Sequence, residues 1–215
     1  MSDRRLPEIL AEEEVDRLLL IVPGTRDRVK LSRKVIAQAN QVGVQHIALL
    51  SMASVDTAES AFGSEYVAIE RLLKKTPPYT IMRIPLLTDS HLLDIENPLK
   101  KTYNILTPLD PDVKFSSISA RDVGFAVAQI MFNTHFHENK IYTFAAQPYT
   151  MREFASAVNS KTGCEVNIVK ISLKQSFETM VKQQIPDWQA SGINELYGEI
   201  NLGKYIFGQE KHFQR

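Results

Sequence analysis

The sequence has 215 residues, of which 44% are hydrophobic and 23% are charged. These fractions are close to globular averages, so the composition excludes a disordered chain and allows one core or a sheet domain with a helical appendage. The 25 basic residues equal the 25 acidic ones, and a chain without net charge has no overall field that favours nucleic acid. The single cysteine, Cys164, excludes an internal disulfide and is typical of a reducing compartment.

Neither a targeting segment nor a metal site is predicted. Residues 1–14 are charged throughout and lack the apolar core of a secretory signal, and the longest apolar run, 18–23, is too short to span a bilayer. We therefore expect a cytoplasmic protein without membrane contact. The five histidines are scattered, and His135 and His137 lie on a polar loop that favours solvation over metal binding.

The first predicted elements are a leader, a strand and a helix. Residues 1–14 form the leader, and the apolar run 15–22 predicts a buried strand closed by the turn pair Pro23–Gly24. Apolar positions then recur at helical spacing over 27–42, and Gly43 is a typical helix stop.

The central prediction is a strand–helix–strand unit. An apolar strand at 44–50 ends at Ser51, a helical pattern covers 63–75, and a second short strand follows at 79–83. Such units need a parallel sheet, and open parallel sheets bind ligands outside the carboxyl ends of their strands. Ser51 and the residues after Arg83 are therefore expected at a ligand-binding edge.

The remainder of the chain alternates loops, strands and helices. Residues 84–111 contain four prolines and predict a long loop with one short helix near 91–95. Ser119 with Asp122 is typical of a capping box that opens a helix, and Thr150 with Glu153 is typical of another. The predicted elements are an extended piece at 115–118, helices at 123–132, 150–161, 172–184 and from 186, and strands at 140–144 and 166–171.

Several of these segments together resemble the NmrA-like branch of the atypical short-chain dehydrogenase/reductase superfamily. The resemblance extends over residues 15–205 and implies a Rossmann-type α/β fold that binds NAD or NADP. It rests on the order and spacing of the segments 18–23, 35–39, 43–44, 49–51, 69–73, 79–83, 118–124 and 196–203.

The resemblance also implies that part of the family's fold is missing. The first strand here, 15–22, resembles the family's fourth, and no G-x-G-x-x-G motif occurs among the nine glycines. Without that loop the fold lacks its strongest phosphate-binding element, so we expect weak dinucleotide binding unless another chain supplies the missing part. We also expect strand 15–22 to be an exposed edge that pairs with a second copy or another protein, unless residues 1–13 fold over it.

The predicted architecture is therefore a partial Rossmann-type parallel sheet with a small C-terminal α+β part. Its predicted parts are the leader at 1–14, a sheet domain at 15–150 that includes the loop 84–111, and a C-terminal part at 151–215. No nucleic-acid contact is expected.

The resemblance implies a set of cofactor-binding residues: Pro23, Gly24, Ser51, Tyr66, Ile84, Pro85 and Leu86. Pro23–Gly24 and Ser51 also have an ordinary interpretation as strand-ending turns. Tyr66 is the one candidate catalytic residue, but Glu70, four residues on, replaces the lysine that would lower a tyrosine pKa, and a half-buried helix tyrosine is the alternative. Arg83 is expected to be a structural clamp on loop carbonyls or an acid.

Three functions follow from these features. The first is a non-catalytic regulatory or interaction protein, because the phosphate loop and a proton donor are both missing. The second is an NAD(P)-dependent oxidoreductase or a redox sensor, as the resemblance implies. The third is a binding scaffold that uses the loop 84–111 and the edge strand.

Overall fold

A computed structural model describes residues 5–57, 60–76, 78–91 and 102–207 of the chain. Its helices and strands alternate along most of the sequence, as expected for an α/β protein. In chain order they are α1 Leu6–Glu12, β1 Arg17–Ile21, α2 Arg28–Gln41, β2 His46–Met52, α3 Ala61–Leu73, β3 Tyr79–Ile84, β4 Leu86–Leu87, β5 Thr102–Thr107, β6 Ser117–Ile118, α4 Ala120–Phe132, β7 Lys140–Thr143, α5 Met151–Thr162, β8 Glu165–Lys170, α6 Leu173–Lys182 and α7 Asp187–Asn201.

The chain divides into two compact units. The first comprises residues 1–84 and 121–144, and the second comprises residues 85–120 and 145–215. The predicted sheet domain, 15–150, is therefore divided, because its residues 85–120 and 145–150 belong to the second unit. Within the part of the chain that is described, no helix is long and apolar enough to cross a membrane.

The first unit is built on a four-stranded parallel sheet with the order β1-β2-β3-β7. In the register, Ile21 lies beside Leu50 and Ser51 lies beside Arg83. This arrangement confirms the predicted α/β class and the central strand–helix–strand unit. Strands β2 and β3 are buried along most of their length because helices cover the sheet, as parallel sheets require.

The core of the first unit lies between the sheet and helices α1 to α3. Apolar side chains that recur at helical spacing, such as Ile36 and Ala39 of α2 and Ile69 and Leu73 of α3, are buried against the strands. The predicted leader contributes the helix α1, whose Leu10 is buried in the same core. Helix α2 ends before Gly43, which has the positive φ of 85° that favours glycine at this position.

One predicted helix boundary in this part of the chain was wrong. Helix α4 begins at Ala120 and not at residue 123, and the Ala120 amide donates a 2.8 Å hydrogen bond to the Asp89 carboxylate. Residues 88–91 form a short 3-10 turn, while the rest of the predicted helix near 91–95 falls outside the described residues.

The second unit contains two small parallel sheets, β4-β6 and β5-β8, around a separate core. Strand β5 was missed, since residues 84–111 were predicted as a loop with one short helix. Its alternation places Tyr103 and Ile105 in the core, but Leu106 on the outer face breaks the expected apolar–polar pattern.

The helices of the second unit begin where the sequence predicted. Thr150 and Glu153 form a complete capping box at α5, and Ser172 with Gln175 forms another at α6. Gly163 ends α5 in the left-handed conformation. In α7, Leu196 and Ile200 from the predicted stripe are buried in the core of this unit.

Candidate functional site

The carboxyl ends of β1, β2 and β3 meet at one edge of the parallel sheet in the first unit. The register brings the ends of β1 and β2 side by side and places Ser51 and Met52 of β2 beside Arg83 and Ile84 of β3. Pro23 and Gly24, which follow β1, are exposed, whereas Ser51 is buried and Ile84 is half-buried. Four of the predicted residues therefore lie at the edge where open parallel sheets bind ligands.

A buried ion pair lies beneath this edge. The Arg83 guanidinium donates two hydrogen bonds to the Glu70 carboxylate, Nε to Oε1 at 3.0 Å and Nη2 to Oε2 at 2.8 Å. The Ser51 hydroxyl donates a third, to Oε1, at 2.8 Å. Glu70 is 2% exposed and Arg83 is 9% exposed, so the pair is shielded from water. The prediction that Arg83 is a clamp on an acid is confirmed.

The environment of Glu70 keeps its carboxylate charged. Burial by itself raises the pKa of Glu70, but the hydrogen bonds from Arg83 and Ser51 lower it, and the charges of Arg83 and Lys74 lower it further. The net result is a pKa below the ordinary carboxyl value. Three elements, β2, α3 and β3, are consequently tied together by one ionised side chain.

Tyr66, the candidate catalytic residue, lies one turn before Glu70 on α3. Its ring is half-buried and packs against the core of the first unit. Burial raises the pKa of Tyr66, the positive charge of Arg28 lowers it, and the negative charge of Glu65 raises it. The pKa of Tyr66 is therefore raised, as predicted. The causes are burial and the charge of Glu65, and not the charge of Glu70. The carboxylate of Glu70 is instead bound to Arg83.

Arg28, in the first turn of α2, is a neighbour of Tyr66 that sequence reasoning missed. Its guanidinium lies 4.7 Å from the Phe62 ring centre and 5.9 Å from that of Tyr66, and its Nε lies 3.1 Å from the Glu65 carboxylate. The sequence contained one indication, because Phe62, Glu65 and Tyr66 recur at helical spacing and form a single surface. Arg28 joins this surface of α3 to the turn after β1 through a hydrogen bond to the Thr25 carbonyl.

The two remaining predicted residues, Pro85 and Leu86, belong to the second unit. Pro85 is buried, and Leu86 is half-buried in β4, where it pairs with Ser117 of β6. The Ser117 hydroxyl lies 2.7 Å from the Thr88 hydroxyl and donates to that of Tyr149 at 2.8 Å. Burial raises the pKa of Tyr149 despite the hydrogen bonds from Ser117 and Thr88, so this hydroxyl stays protonated.

The edge of the first unit matches the two ends of a dinucleotide unequally. A pyrophosphate needs a glycine-rich turn and the N-terminus of a helix, but the turn after β1 has one glycine, Gly24, and α2 begins after Asp27, whose carboxylate repels phosphate. Pro23 and Gly24 are exposed at this edge, and Tyr66 is half-buried on α3. The described residues after β1 therefore lack the groups that hold a pyrophosphate.

The described residues at this edge form no metal site. Among residues 5–57, 60–76, 78–91 and 102–207, no group of three histidine, cysteine or acidic side chains is positioned to hold an ion. His137 instead forms a 2.9 Å hydrogen bond with the Tyr142 hydroxyl, at the opposite end of the strands.

Comparison with known proteins places this geometry among NAD(P)-binding folds. The sequence profile of the NmrA-like family matches residues 8–207. Quinone oxidoreductase 2 of Escherichia coli (strain K12) is 24% identical over 196 residues, which are 90% of this chain and 66% of that protein. The NAD(P)H azoreductase of Xenophilus azovorans is 28% identical over 203 residues, covering 90% and 67% of the two chains.

A solved structure supports the same fold. The NADPH-dependent quinone oxidoreductase from Escherichia coli, complexed with NADPH, matches with a TM-score of 0.77 at 22% sequence identity. The match covers 95% of this chain and 73% of that one. The chain thus spans about two thirds of the length of the two relatives named above.

Proposed function

Because this chain belongs to the NmrA-like family, we propose that it is an NAD(P)H-linked, oxidoreductase-type protein that acts on a two-electron acceptor of the quinone or azo class. The observation that carries the proposal is the shared carboxyl edge of β1, β2 and β3, where Pro23, Gly24, Ser51 and Ile84 lie. The names of the two relatives, a quinone oxidoreductase and an azoreductase, supply the acceptor class. A cytoplasmic setting, where NAD(P)H is available, is part of the proposal.

In this proposal the nicotinamide end of the cofactor binds above the turn Pro23–Gly24 and beside Tyr66. Ser51 does not donate a hydrogen bond to the cofactor, because its hydroxyl already donates one to the Glu70 carboxylate. Its role is to hold the end of β2 against α3, so Ser51 and the Glu70–Arg83 pair position the edge from beneath. The proposal covers NADH and NADPH alike.

When bound, NADH or NADPH would supply a hydride and be oxidised. A quinone that accepts this hydride would take one further proton from water to become a hydroquinone. The Tyr66 hydroxyl, kept protonated by its raised pKa, donates a hydrogen bond to the acceptor oxygen without giving up its proton. Arg28 and Glu65 fix the position of the tyrosine ring.

A second candidate function is a non-catalytic regulatory or redox-sensing protein that binds the cofactor and does not turn it over. One observation favours it. The raised pKa of Tyr66 makes this hydroxyl a poor acid, and the position four residues on, where a lysine would lower that pKa, is held by Glu70. In this case cofactor binding at the edge of the sheet would respond to the ratio of reduced to oxidised cofactor.

Calorimetric titration of the 215-residue chain with NADPH and with NADH separates these candidates. Binding at or below millimolar cofactor, together with quinone-dependent loss of NADPH absorbance, is the result expected for the oxidoreductase. Binding without turnover of quinone or azo acceptors would replace it by the sensor. A folded protein that binds neither cofactor at millimolar concentration would overturn both.

A pair of tyrosine variants locates the site. Tyr66→Phe removes the hydroxyl at the carboxyl edge, and Tyr79→Phe makes the same change at the amino end of β3. We expect Tyr66→Phe to lower the turnover number about tenfold, with the Kd for NADPH unchanged, and Tyr79→Phe to leave both at the wild-type value. Equal effects of the two substitutions would show that Tyr66 has no contact with the acceptor.

A further inference from the structure

Six side chains of the second unit form a cluster that the proposed function does not use. They come from the turn 88–91, the region of β6 and the region where α5 begins: Thr88, His91, Phe115, Ser117, Tyr149 and Phe154. Phe115 and Ser117 are fully buried, whereas the other four are half-buried. These six residues, called here the Tyr149 cluster, therefore combine a closed interior with a partly accessible side.

The backbone holds Tyr149 in a fixed place within this cluster. Its amide and carbonyl exchange hydrogen bonds of 3.1 and 3.0 Å with the carbonyl and amide of Phe115. Its ring centre lies 5.0 Å from that of Phe115 and 6.1 Å from that of Phe154. The next residue, Thr150, caps α5. The position of the Tyr149 hydroxyl is therefore set before a ligand arrives, which lowers the entropy cost of binding.

Three hydroxyl groups meet in the Tyr149 cluster, and their protons can be counted. Ser117 donates to the Tyr149 oxygen at 2.8 Å, and the Thr88 and Ser117 oxygens are 2.7 Å apart. Because Ser117 has only one hydroxyl proton, the bond between Thr88 and Ser117 uses the proton of Thr88. The Tyr149 oxygen thus accepts, and its own proton has no acceptor among the residues that the structure describes. Tyr149 remains a hydrogen-bond donor, and hydrogen bonds in a chain polarise and strengthen one another.

A second polar atom of the cluster also lacks a partner. The Nε2 atom of His91 is buried and forms no hydrogen bond within the described part of the chain. The His91 ring centre lies 5.7 Å from that of Phe115 and 5.5 Å from that of Phe154, so His91 packs against the same two rings as Tyr149. Burial lowers the pKa of His91 to about 4, which keeps the imidazole neutral at pH 7. The cluster therefore offers two polar groups to a ligand and carries no charge of its own.

From these features we infer that the Tyr149 cluster binds an uncharged aromatic carbonyl compound of the quinone class, whose carbonyl oxygen accepts a hydrogen bond from the Tyr149 hydroxyl. The partly exposed ring of Phe154 provides the aromatic contact that a flat ligand needs. The imidazole of His91 donates to the second carbonyl oxygen when its proton is on Nε2. A charged ligand is disfavoured, because none of the six side chains carries a charge that would compensate for its lost hydration.

This inference deepens the proposed function and rests on it for the two ligand classes that are compared, quinones and azo compounds. A quinone presents its carbonyl oxygens at the margin of the ring, where a tyrosine hydroxyl can reach them. The nitrogens of an azo compound are weaker hydrogen-bond acceptors and lie between two aryl groups. The Tyr149 donor therefore favours quinones. Binding is measured without NADH or NADPH, so a chain that binds neither cofactor would overturn the proposed function without contradicting this inference.

Equilibrium dialysis of the 215-residue chain tests the site with two probes, 2,3-dimethyl-1,4-naphthoquinone and azobenzene. The methyl groups of the quinone occupy the ring positions at which the free thiol of Cys164 would add. We expect saturable binding of one quinone per chain, and binding of azobenzene that is at least about threefold weaker. A folded chain that shows no saturable quinone binding, or equal affinity for the two probes, would overturn the inference.

A pair of tyrosine variants identifies the donor. Tyr149→Phe removes the hydroxyl and is expected to raise the Kd of the quinone about threefold to tenfold, while the Kd of azobenzene stays the same. Tyr142→Phe is the matched control, because it removes a half-buried hydroxyl that lies 2.9 Å from His137 in the first unit, and neither Kd should change. Equal weakening of both probes by Tyr149→Phe, or equal effects of the two substitutions, would contradict the inference. Circular dichroism checks folding, and if Tyr149→Phe does not fold, the comparison of the two probes on the wild-type chain decides.

Discussion

Glu70 and Arg83 form a buried two-bond ion pair that joins helix α3 to strand β3 in the first unit. The pair lies under the carboxyl edge of the sheet, next to Ser51 at the end of β2. It fixes the spacing between two strands and a helix at the position where a parallel sheet binds its ligands. The stability of the first unit and the shape of the candidate site consequently depend on the same carboxylate.

The first prediction concerns the Glu70 charge. Glu70→Gln keeps the shape of the side chain but leaves the Arg83 guanidinium buried without its carboxylate. Removing one partner of a buried pair costs about 3–5 kcal/mol, so we expect a loss of this size in the free energy of unfolding. Urea denaturation followed by circular dichroism measures it.

Asp112→Asn is the matched control for this substitution. Asp112 accepts two hydrogen bonds from Arg152 with nearly the same geometry, at 2.8 and 2.9 Å, but both side chains are exposed. Water screens an exposed pair, so the unfolding free energy should hardly change. If the two amide variants were equally destabilised, burial would not be the reason for the effect at Glu70.

The second prediction is that the contribution of Glu70 depends on pH. The folded pKa of Glu70 lies below the ordinary value of 4.5 because the stabilising bonds and charges outweigh burial. As the pH falls below 4.5, Glu70 is protonated in the unfolded chain before it is protonated in the folded chain. Its stabilising effect is therefore complete above pH 4.5 and is lost as the pH falls through the folded pKa. The difference in unfolding free energy between wild type and Glu70→Gln should therefore shrink as the pH is lowered from 4.5 through the folded pKa. A constant difference across this range would contradict the assignment.

The third prediction separates two roles of Ser51. A hydrogen bond to a charged acceptor contributes about 1.5–3 kcal/mol, and Ser51→Ala should lower the unfolding free energy by about this amount. The affinity for NADPH should change less than twofold, because the hydroxyl donates to Glu70. Ser64→Ala, which removes an exposed hydroxyl bonded within α3, should change stability by less than about 0.5 kcal/mol. A large loss of cofactor binding in a stable Ser51→Ala protein would show direct contact instead.

The fourth prediction concerns His91 in the second unit. Burial lowers the pKa of His91 from 6.5 to about 4, and its ring lies between those of Phe115 and Phe154. A histidine with a lowered folded pKa gives full stability above pH 6.5 and loses it as the pH falls toward 4. The difference between the ordinary pKa of 6.5 and the folded pKa of about 4 corresponds to a loss of at most about 3 kcal/mol in the free energy of unfolding.

The chain's single tryptophan, Trp188, lies in the second unit, so its fluorescence reports the unfolding of that unit. His91→Leu removes the titrating group from the same aromatic surroundings. We expect the fluorescence-monitored stability of this variant to change less between pH 6.5 and 4 than that of the wild type. Identical pH profiles for the two proteins would assign the acid sensitivity to other groups.

The helices and the central strands could be predicted because their signals are local. The helical spacing of Ile69 and Leu73, the glycine stop at Gly43 and the capping box at Thr150 each depend on residues a few positions apart. Strand β5 could not be predicted in this way, because its stability comes from pairing with β8, about sixty residues away, and Leu106 disturbs its alternation. Arg28 was missed for the same reason, since its partners lie on another helix.

The sequence by itself determined the α/β class, the resemblance to the NmrA-like family and the lack of a glycine-rich motif, because each depends only on residue type and order. The tertiary structure decided how those residues are used. It bound the Ser51 hydroxyl and Arg83 to Glu70, and it placed the Arg28 guanidinium against Phe62 and Glu65. For these side chains, long-range contacts determine whether a polar group is available to a ligand, since their burial and hydrogen bonding are set by residues distant in sequence.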